Sequence, residues 1–301
     1  MYPAAAALAI VAVALAWPVP IVLARAAWPS RTPGRALALW QLIALAGGTS
    51  MIGALLLFGF TPFVGAAGAD AGLLLSGLID GPLPSGVGAV HIVALGAAVL
   101  LGAHLLLNLG TTAVRAERRR RRHHALVELL SSPVPGHPGA RMLEHAAPVA
   151  YCLPGLHTVT VLSEGLIDLL DRDQLDAVLA HERTHLRQHH HLVLLAFTAW
   201  HSALPWFPIA NRAERAVALL VEMLADDTAR REVDAETLAT AIALVGSAWG
   251  DVAHGEVTGA PPLRPVSTTT PRHPLRLSPD AAQTAPVSGA IGARISRLLA
   301  A

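Results

Sequence analysis

Two histidines four residues apart, with a glutamate beside the first, form the segment HERTH at residues 181–185. On a helix, positions i and i+4 lie on one face, so His181 and His185 can offer imidazole nitrogens to one ion. A catalytic zinc site uses three protein ligands and leaves one position open. Glu182 is then placed to take a proton from water rather than to bind the metal. The motif predicts one Zn²⁺ per chain in a hydrolytic site.

A second segment, VEMLADD at residues 221–227, offers a candidate for the third ligand, which HERTH lacks. Glu222 is the candidate third zinc ligand. Asp226, four residues later, is placed to accept the free N–H of a zinc-binding histidine and so to fix its tautomer. Asp227 points away from that helix face. The competing interpretation, that Glu222 and Asp226 are solvated helix charges, leaves the pairing with HERTH unexplained.

Local patterns predict the elements that carry these residues. The alternation in HTVTVLSEG predicts a strand at 157–163. Helical spacing follows, with a break near residues 171–173 and Asp173 as the N-cap candidate of the second helix. Further helices are predicted at 235–248 and, as a short amphipathic helix, at 290–300. The Pro-, Ser- and Thr-rich stretch between them is predicted to be irregular.

The composition indicates a membrane protein: 53% of residues are hydrophobic and 14% are charged, against about 25% charged in soluble domains. Three apolar runs, 3–24, 36–60 and 87–109, are each long enough to span a bilayer. Arginines flank the first and third connections and are absent from the second. The positive-inside rule therefore predicts an outside N-terminus and a cytoplasmic chain from Arg115 onward. No basic stripe with interleaved aromatics indicates direct nucleic-acid binding.

The apolar run after HERTH is predicted to be a helical hairpin at 192–220 that dips into or lies against the membrane. Pro205 and Pro208 interrupt the helix, and the thirteen residues before them are too short for a complete span. A fourth span over 192–210 is the alternative. The prediction is thus three spans in residues 1–114, a mainly α peptidase domain with a small β element in 115–234, and a tail, 235–301.

Other candidate residues carry weaker signals. The consecutive His189, His190 and His191 point in three directions on a helix, so we expect a polar collar at the membrane surface rather than three ligands. For His201, a core position and a functional one are equally favoured. The single Cys152 is expected to be a buried thiol. Arg215 is a weak candidate for stabilising an oxyanion.

The segments that contain HERTH and VEMLADD resemble the membrane metallopeptidases of the BlaR/MecR antirepressor family. Three predicted spans precede these segments, and an arginine-rich stretch follows the third span. The same segments resemble more distantly HtpX and the CAAX prenyl proteases. The resemblance implies His181, His185 and Glu222 as zinc ligands, Glu182 as catalytic base and Asp226 as the partner of a ligand. It also implies that the substrate is a cytosolic repressor, such as one of the BlaI type.

The chain departs from the antibiotic sensors of that family because none of its 22 basic residues is lysine. The S-x-x-K motif of a penicillin-binding domain is therefore impossible here, and no covalent β-lactam binding is expected. Two alternatives stay open beside regulated repressor cleavage. One is HtpX-like quality control of membrane proteins, and the other is a non-enzymatic receptor that zinc holds together. The latter would leave Glu182 without a role.

Overall fold

The computed structural model describes residues 1–67, 86–134, 139–153, 158–204, 208–255 and 287–300. The chain divides into two compact units. One comprises residues 1–27, 35–111 and 199–213, and the other comprises residues 28–34, 112–198 and 214–301.

Long apolar helices make up the first unit. Its main elements are α1 (Tyr2–Ala16), α2 (Pro18–Arg25), α4 (Pro33–Ala67) and α5 (Ala89–Leu130), while the short α3 (Trp28–Arg31) belongs to the second unit. Within the described ranges, three helical stretches are long and apolar enough to cross a membrane: Tyr2–Arg25, Pro33–Phe63 and Ala89–Leu130. They correspond to the three predicted spans. Their orientation in the membrane stays a prediction.

The helices differ from the predicted spans at their ends. The first is interrupted at Trp17, because the prolines at 18 and 20 have no N–H for the preceding turn. The third continues past residue 109 through the arginine run to Leu130, because arginine and leucine favour helix and no breaker intervenes. The predicted second connection, 61–86, begins as helix up to Ala67. Residues 68–85 lie outside the described part.

The segment predicted to be a hairpin contains two helices, α8 (His190–Ala203) and α9 (Pro208–Ala229), and their arrangement as a hairpin stays a prediction. The break comes where the prolines predict it, with Pro208 as the first residue of α9, a position where its missing N–H costs nothing. Asn108 of α5 donates from Nδ2 to Ser202 Oγ at 2.9 Å. His104 Nε2 lies 3.2 Å from the Ala203 carbonyl oxygen. Both contacts satisfy polar groups at the end of α8. Association of the hairpin with the bilayer stays a prediction.

A small mixed sheet lies in the second unit. Its strands are β1 (Ser131–Pro133), β2 (Ala140–Leu143), β3 (Ala150–Leu153) and β4 (Val159–Ser163). In the described residues the strand order is β1-β2-β4-β3, with β2 and β4 parallel and the other pairs antiparallel. The strand predicted at 157–163 corresponds to β4. Thr158 precedes the observed strand, and residue 157 lies outside the described part.

The helix that carries HERTH is α7 (Arg172–Arg187), preceded by α6 (Glu164–Leu169). The break between them is confirmed, but the N-cap is Asp171 and not Asp173. Asp171 accepts from the Gln174 N–H at 2.9 Å, while Gln174 Oε1 accepts from the Asp171 N–H at 3.1 Å. This reciprocal capping box satisfies two N–H groups at the helix start. Asp173 lies inside the first turn, where a carboxylate complements the helix dipole.

Packing holds α7 between the sheet and two later helices. The predicted helices after Glu222 correspond to α10 (Ala235–Gly255) and α11 (Val287–Leu299). Ala177 and Ala180 of α7 are buried in one cluster with Leu238 of α10 and Leu298 of α11. The small alanines allow close helix approach. The stretch predicted to be irregular, residues 259–286, lies outside the described residues.

Candidate metal centre

The motif histidines lie on the buried face of α7. His181 and His185 are 7% and 8% exposed, and their Nε2 atoms are 3.1 Å apart. Thr184, on the same side of the helix, is completely buried and donates back to the Ala180 carbonyl oxygen. Because the two imidazoles are one helical turn apart, α7 alone brings two nitrogen donors together.

Glu222 of α9 adds a carboxylate to this pair. Its Oε2 lies 3.4 Å from His181 Nε2 and its Oε1 lies 3.5 Å from His185 Nε2. One donor atom from each of the three residues lies within 4.8 Å of the other two. Zinc–ligand bonds of about 2.0–2.1 Å in a tetrahedron separate neighbouring donors by about 3.3 Å. The spacing and the His, His, Glu composition of the cluster therefore fit a zinc ion.

Asp226 fixes the orientation of His181. Its Oδ1 lies 2.9 Å from His181 Nδ1, and the residue is 1% exposed. A carboxylate at this distance favours a proton on Nδ1 and leaves Nε2 to face Glu222. Burial lowers the pKa of His181, but the hydrogen bonds to Asp226 and Glu222 outweigh burial and raise this pKa to about 9.

His190 occupies the corresponding position beside His185. His190 is 1% exposed, and its Nδ1 lies 3.0 Å from His185 Nδ1. The predicted polar collar is therefore wrong for this residue, although His189 and His191 are exposed. The prediction assumed one continuous helix through the three histidines. Instead α7 ends, and His189 adopts φ of 52°, a left-handed conformation uncommon outside glycine, which turns the next residue inward.

A chain of hydrogen bonds sets the tautomer of His185. Thr228 Oγ1 donates to the Leu224 carbonyl, so it accepts from Gln188 Nε2 at 3.0 Å. The side-chain oxygen of Gln188, Oε1, then lies 2.9 Å from His190 Nε2. Because this oxygen can only accept, His190 Nε2 carries the proton. Burial lowers the pKa of His190 to about 4, so its ring is neutral and its Nδ1 accepts from His185 Nδ1. The Nε2 of His185 keeps its lone pair for the cluster.

Glu182 lies on α7 beside the cluster but faces the sheet. It is 9% exposed. Burial raises its pKa to about 7, although the charge of His181 and a hydrogen bond from the Cys152 backbone lower it. A carboxyl group with a pKa near neutrality can both take up and release a proton at physiological pH. Cys152 itself is buried, as expected, and burial raises the pKa of its thiol.

Arg294 of α11 is a residue of the site that the sequence analysis missed. Its Nη1 lies 3.0 Å from Glu222 Oε2, and its Nη2 lies 2.7 Å from Asp226 Oδ1. Burial raises the pKa of Glu222, but the Arg294 charge outweighs burial and holds this pKa well below its usual range. No local motif marks Arg294, which follows Glu222 by more than seventy residues. Arg215, the sequence candidate, is a half-buried residue of α9.

Residues 113–249 match the sequence model of peptidase family M48. Neither the curated proteins nor the solved structures give a match. The matched segment includes HERTH and Glu222 and ends before α11. This segment is therefore similar to the M48 metallopeptidases, whose members generally use zinc. The match supports neither the narrower antirepressor subfamily nor a role in signalling.

Proposed function

We propose that this chain is a membrane-anchored zinc endopeptidase. In it His181, His185 and Glu222 hold the metal, Asp226 orients His181, and Glu182 is the catalytic base. The observation that carries the proposal is that one donor atom each from His181, His185 and Glu222 lies within 4.8 Å of the other two, beside a buried glutamate that is not one of the three. A purely structural zinc site uses four protein ligands and has no need of such a base.

A zinc ion at this site would supply Lewis-acid polarisation of a peptide carbonyl and activation of a water molecule. Glu182 removes a proton from the attacking water, whose oxygen joins the carbonyl carbon. As the C–N bond breaks, Glu182 returns the proton to the leaving nitrogen. Its pKa of about 7 suits both transfers. Burial lowers the pKa of His185 to about 3, so this ring remains a neutral donor throughout.

Strand β3 supports a peptide as the substrate. It ends the sheet as far as the described residues show, with β4 as its strand neighbour. The Cys152 backbone on this strand contacts Glu182. An extended peptide lying along β3 would pass the base and the metal donors together, and main-chain pairing with an edge strand is a general mode of peptide recognition.

We place the peptidase domain at the cytoplasmic face and propose a transcriptional repressor, for example of the BlaI type, as its substrate. The arginine run from Arg115 lies in the third long helix, beyond its apolar part, and arginines collect on the cytoplasmic side of spans. A cytosolic protein is then the substrate within reach. The second candidate function is degradation of damaged membrane proteins, which the three apolar helices also favour because they anchor the site beside such substrates.

The test compares cells that express the wild type or Glu182→Gln and catalogues newly formed protein N-termini. The control is Glu232→Gln, the same change at an exposed glutamate paired with Arg187. We expect one or a few cytosolic termini in the wild type and the control that are missing in Glu182→Gln. Many termini across membrane proteins would favour quality control. Identical profiles in all three, with zinc bound, would favour the zinc-stabilised receptor and overturn the peptidase.

A further inference from the structure

Arg294 of helix α11 contacts two carboxylates of the candidate metal centre. Arg294 donates from Nε to Asp226 Oδ2 at 2.8 Å and from Nη2 to Asp226 Oδ1 at 2.7 Å. Its third nitrogen, Nη1, lies 3.0 Å from Glu222 Oε2. Such a bidentate arginine–carboxylate pair fixes the orientation of both side chains as well as the distance between them. One guanidinium thus holds both the proposed ligand and the residue that orients another ligand.

The docking of α11 is specific along its whole length. Arg297, one turn after Arg294, donates to Asp227 Oδ2 at 2.6 Å. Leu298 is 2% exposed in the core cluster with the alanines of α7. Near the start of the helix, a Cβ added to Gly246 of α10 would lie 2.6 Å from Ile291 Cδ1. Ion pairs and close apolar packing therefore set both the position and the rotation of α11.

The charges explain why an arginine is needed here. The carboxylates of Glu182, Glu222 and Asp226 lie close enough to raise the pKa of Arg294. Buried carboxylates are costly without a compensating charge. With a divalent cation bound, these three carboxylates and Arg294 together carry no net charge. Without Arg294 the centre would carry an unbalanced negative charge, and the buried Asp226 would lose two of its hydrogen bonds.

We propose that Arg294 is a positioning residue of the metal centre, which makes α11 part of the peptidase domain although it lies beyond the segment that matches the family. Arg294 acts through two residues. It holds Asp226 in the orientation that fixes His181, and it holds the Glu222 carboxylate toward the two imidazoles. This inference rests on the zinc site of the proposed function.

Two effects of removing Arg294 oppose each other. Loss of a positive charge near the metal would by itself strengthen zinc binding. Loss of the hydrogen bonds leaves Asp226 and Glu222 free to turn away, which weakens it. The second effect dominates, because Asp226 is 1% exposed and no bulk water can replace the lost donors. Removal of such outer partners typically costs about 10- to 100-fold in metal affinity.

The experiment measures zinc affinity of the purified full chain by competition with a chelator. The variants are Arg294→Gln, Arg294→Lys and, as the matched control, Arg187→Gln, which removes an exposed arginine from its pair with Glu232. We expect about a 10- to 100-fold loss for Arg294→Gln, a smaller loss for Arg294→Lys and no change for the control. The visible absorption of the Co²⁺-loaded chain should shift in Arg294→Gln and stay unchanged in the control.

Wild-type affinity and an unshifted cobalt spectrum in Arg294→Gln would overturn the proposal and reduce α11 to a packing element. If Arg294→Gln fails to fold, we use the double variant Asp226→Asn/Arg294→Gln, which removes both members of the buried ion pair. Because Arg294 also holds Glu222, the zinc affinity of the double variant should fall below that of Asp226→Asn alone, whereas equal affinities would overturn the proposal. Failure of the peptidase function would instead appear as zinc-bound wild type without Glu182-dependent cleavage, a result that leaves these affinity comparisons unaffected.

Discussion

His190 Nδ1 lies 3.0 Å from His185 Nδ1, and the two rings meet at 80°. The contact ties a proposed zinc ligand to the first residue of the following helix. Two different partners thus orient the two imidazoles: a carboxylate, Asp226, beside His181 and a neutral imidazole beside His185. Both arrangements leave Nε2 facing Glu222.

Substitution of His190 should weaken the metal centre. In His190→Leu, the buried Nδ1–H of His185 has no acceptor, and the ring loses the contact that fixes its tautomer. We expect zinc affinity to fall by about 10- to 100-fold, measured by chelator competition. His191→Leu changes an exposed neighbour and should leave affinity unchanged. Equal affinities in the two variants would show that His190 is a core residue without influence on the metal.

Zinc binding should depend on pH through His181. Its pKa of about 9 in the metal-free protein lies above pH 7, so zinc must displace a proton from this ring. The apparent affinity should rise about tenfold per pH unit between about pH 7 and 9 and then level off. His185, with its pKa of about 3, adds no dependence there. Chelator competition across this range provides the test, and a flat profile would contradict it.

Removal of the third donor should cost metal content. Glu222→Ala leaves two imidazoles, which is too few protein ligands for a catalytic zinc site. We expect the purified variant to hold much less zinc than wild type by elemental analysis. Glu232→Ala, at an exposed position, serves as the control and should retain it. An unchanged zinc content in Glu222→Ala would remove this residue from the ligand set.

The two aspartates at the start of α7 should differ in their effect on stability. Asp171→Ala removes the capping box and should lower the free energy of unfolding by about 1 kcal/mol. Asp173→Ala removes only a first-turn charge and should cost at most about 0.5 kcal/mol. Thermal unfolding of the two variants in the same detergent gives the comparison. Equal shifts would mean that the cap contributes nothing beyond its charge.

Much of this organisation was predictable because it depends on local spacing. The three apolar runs could be identified as helices that can span a membrane from their length and hydropathy alone. His181 and His185 share a face by helix geometry alone, and the same spacing relates Glu222 to Asp226. The break between α6 and α7 also followed from local residues. Only the choice of N-cap failed, because both aspartates are suitable and the reciprocal bond with Gln174 decides between them.

Other features depend on conformation or distance that no short pattern contains. His190 faces His185 only because His189 adopts a left-handed backbone, and a helical periodicity carried through this position predicts the opposite. Arg294 is separated from its carboxylate partners by a long stretch of chain. Its single hint was charge complementarity, since Arg294 and Arg297 have the spacing of one helical turn, opposite the adjacent Asp226 and Asp227.

Residue type and short-range spacing were enough to predict the candidate zinc ligands, the glutamate beside them and the segments apolar enough for a membrane. The way in which the candidate ligands are held depends on contacts between distant parts of the chain. The packing of α7 against α9 and α11 brings Glu222 to the histidines and Arg294 to Glu222 and Asp226. Burial then removes water, so that each polar atom of the cluster must find its partner within the protein.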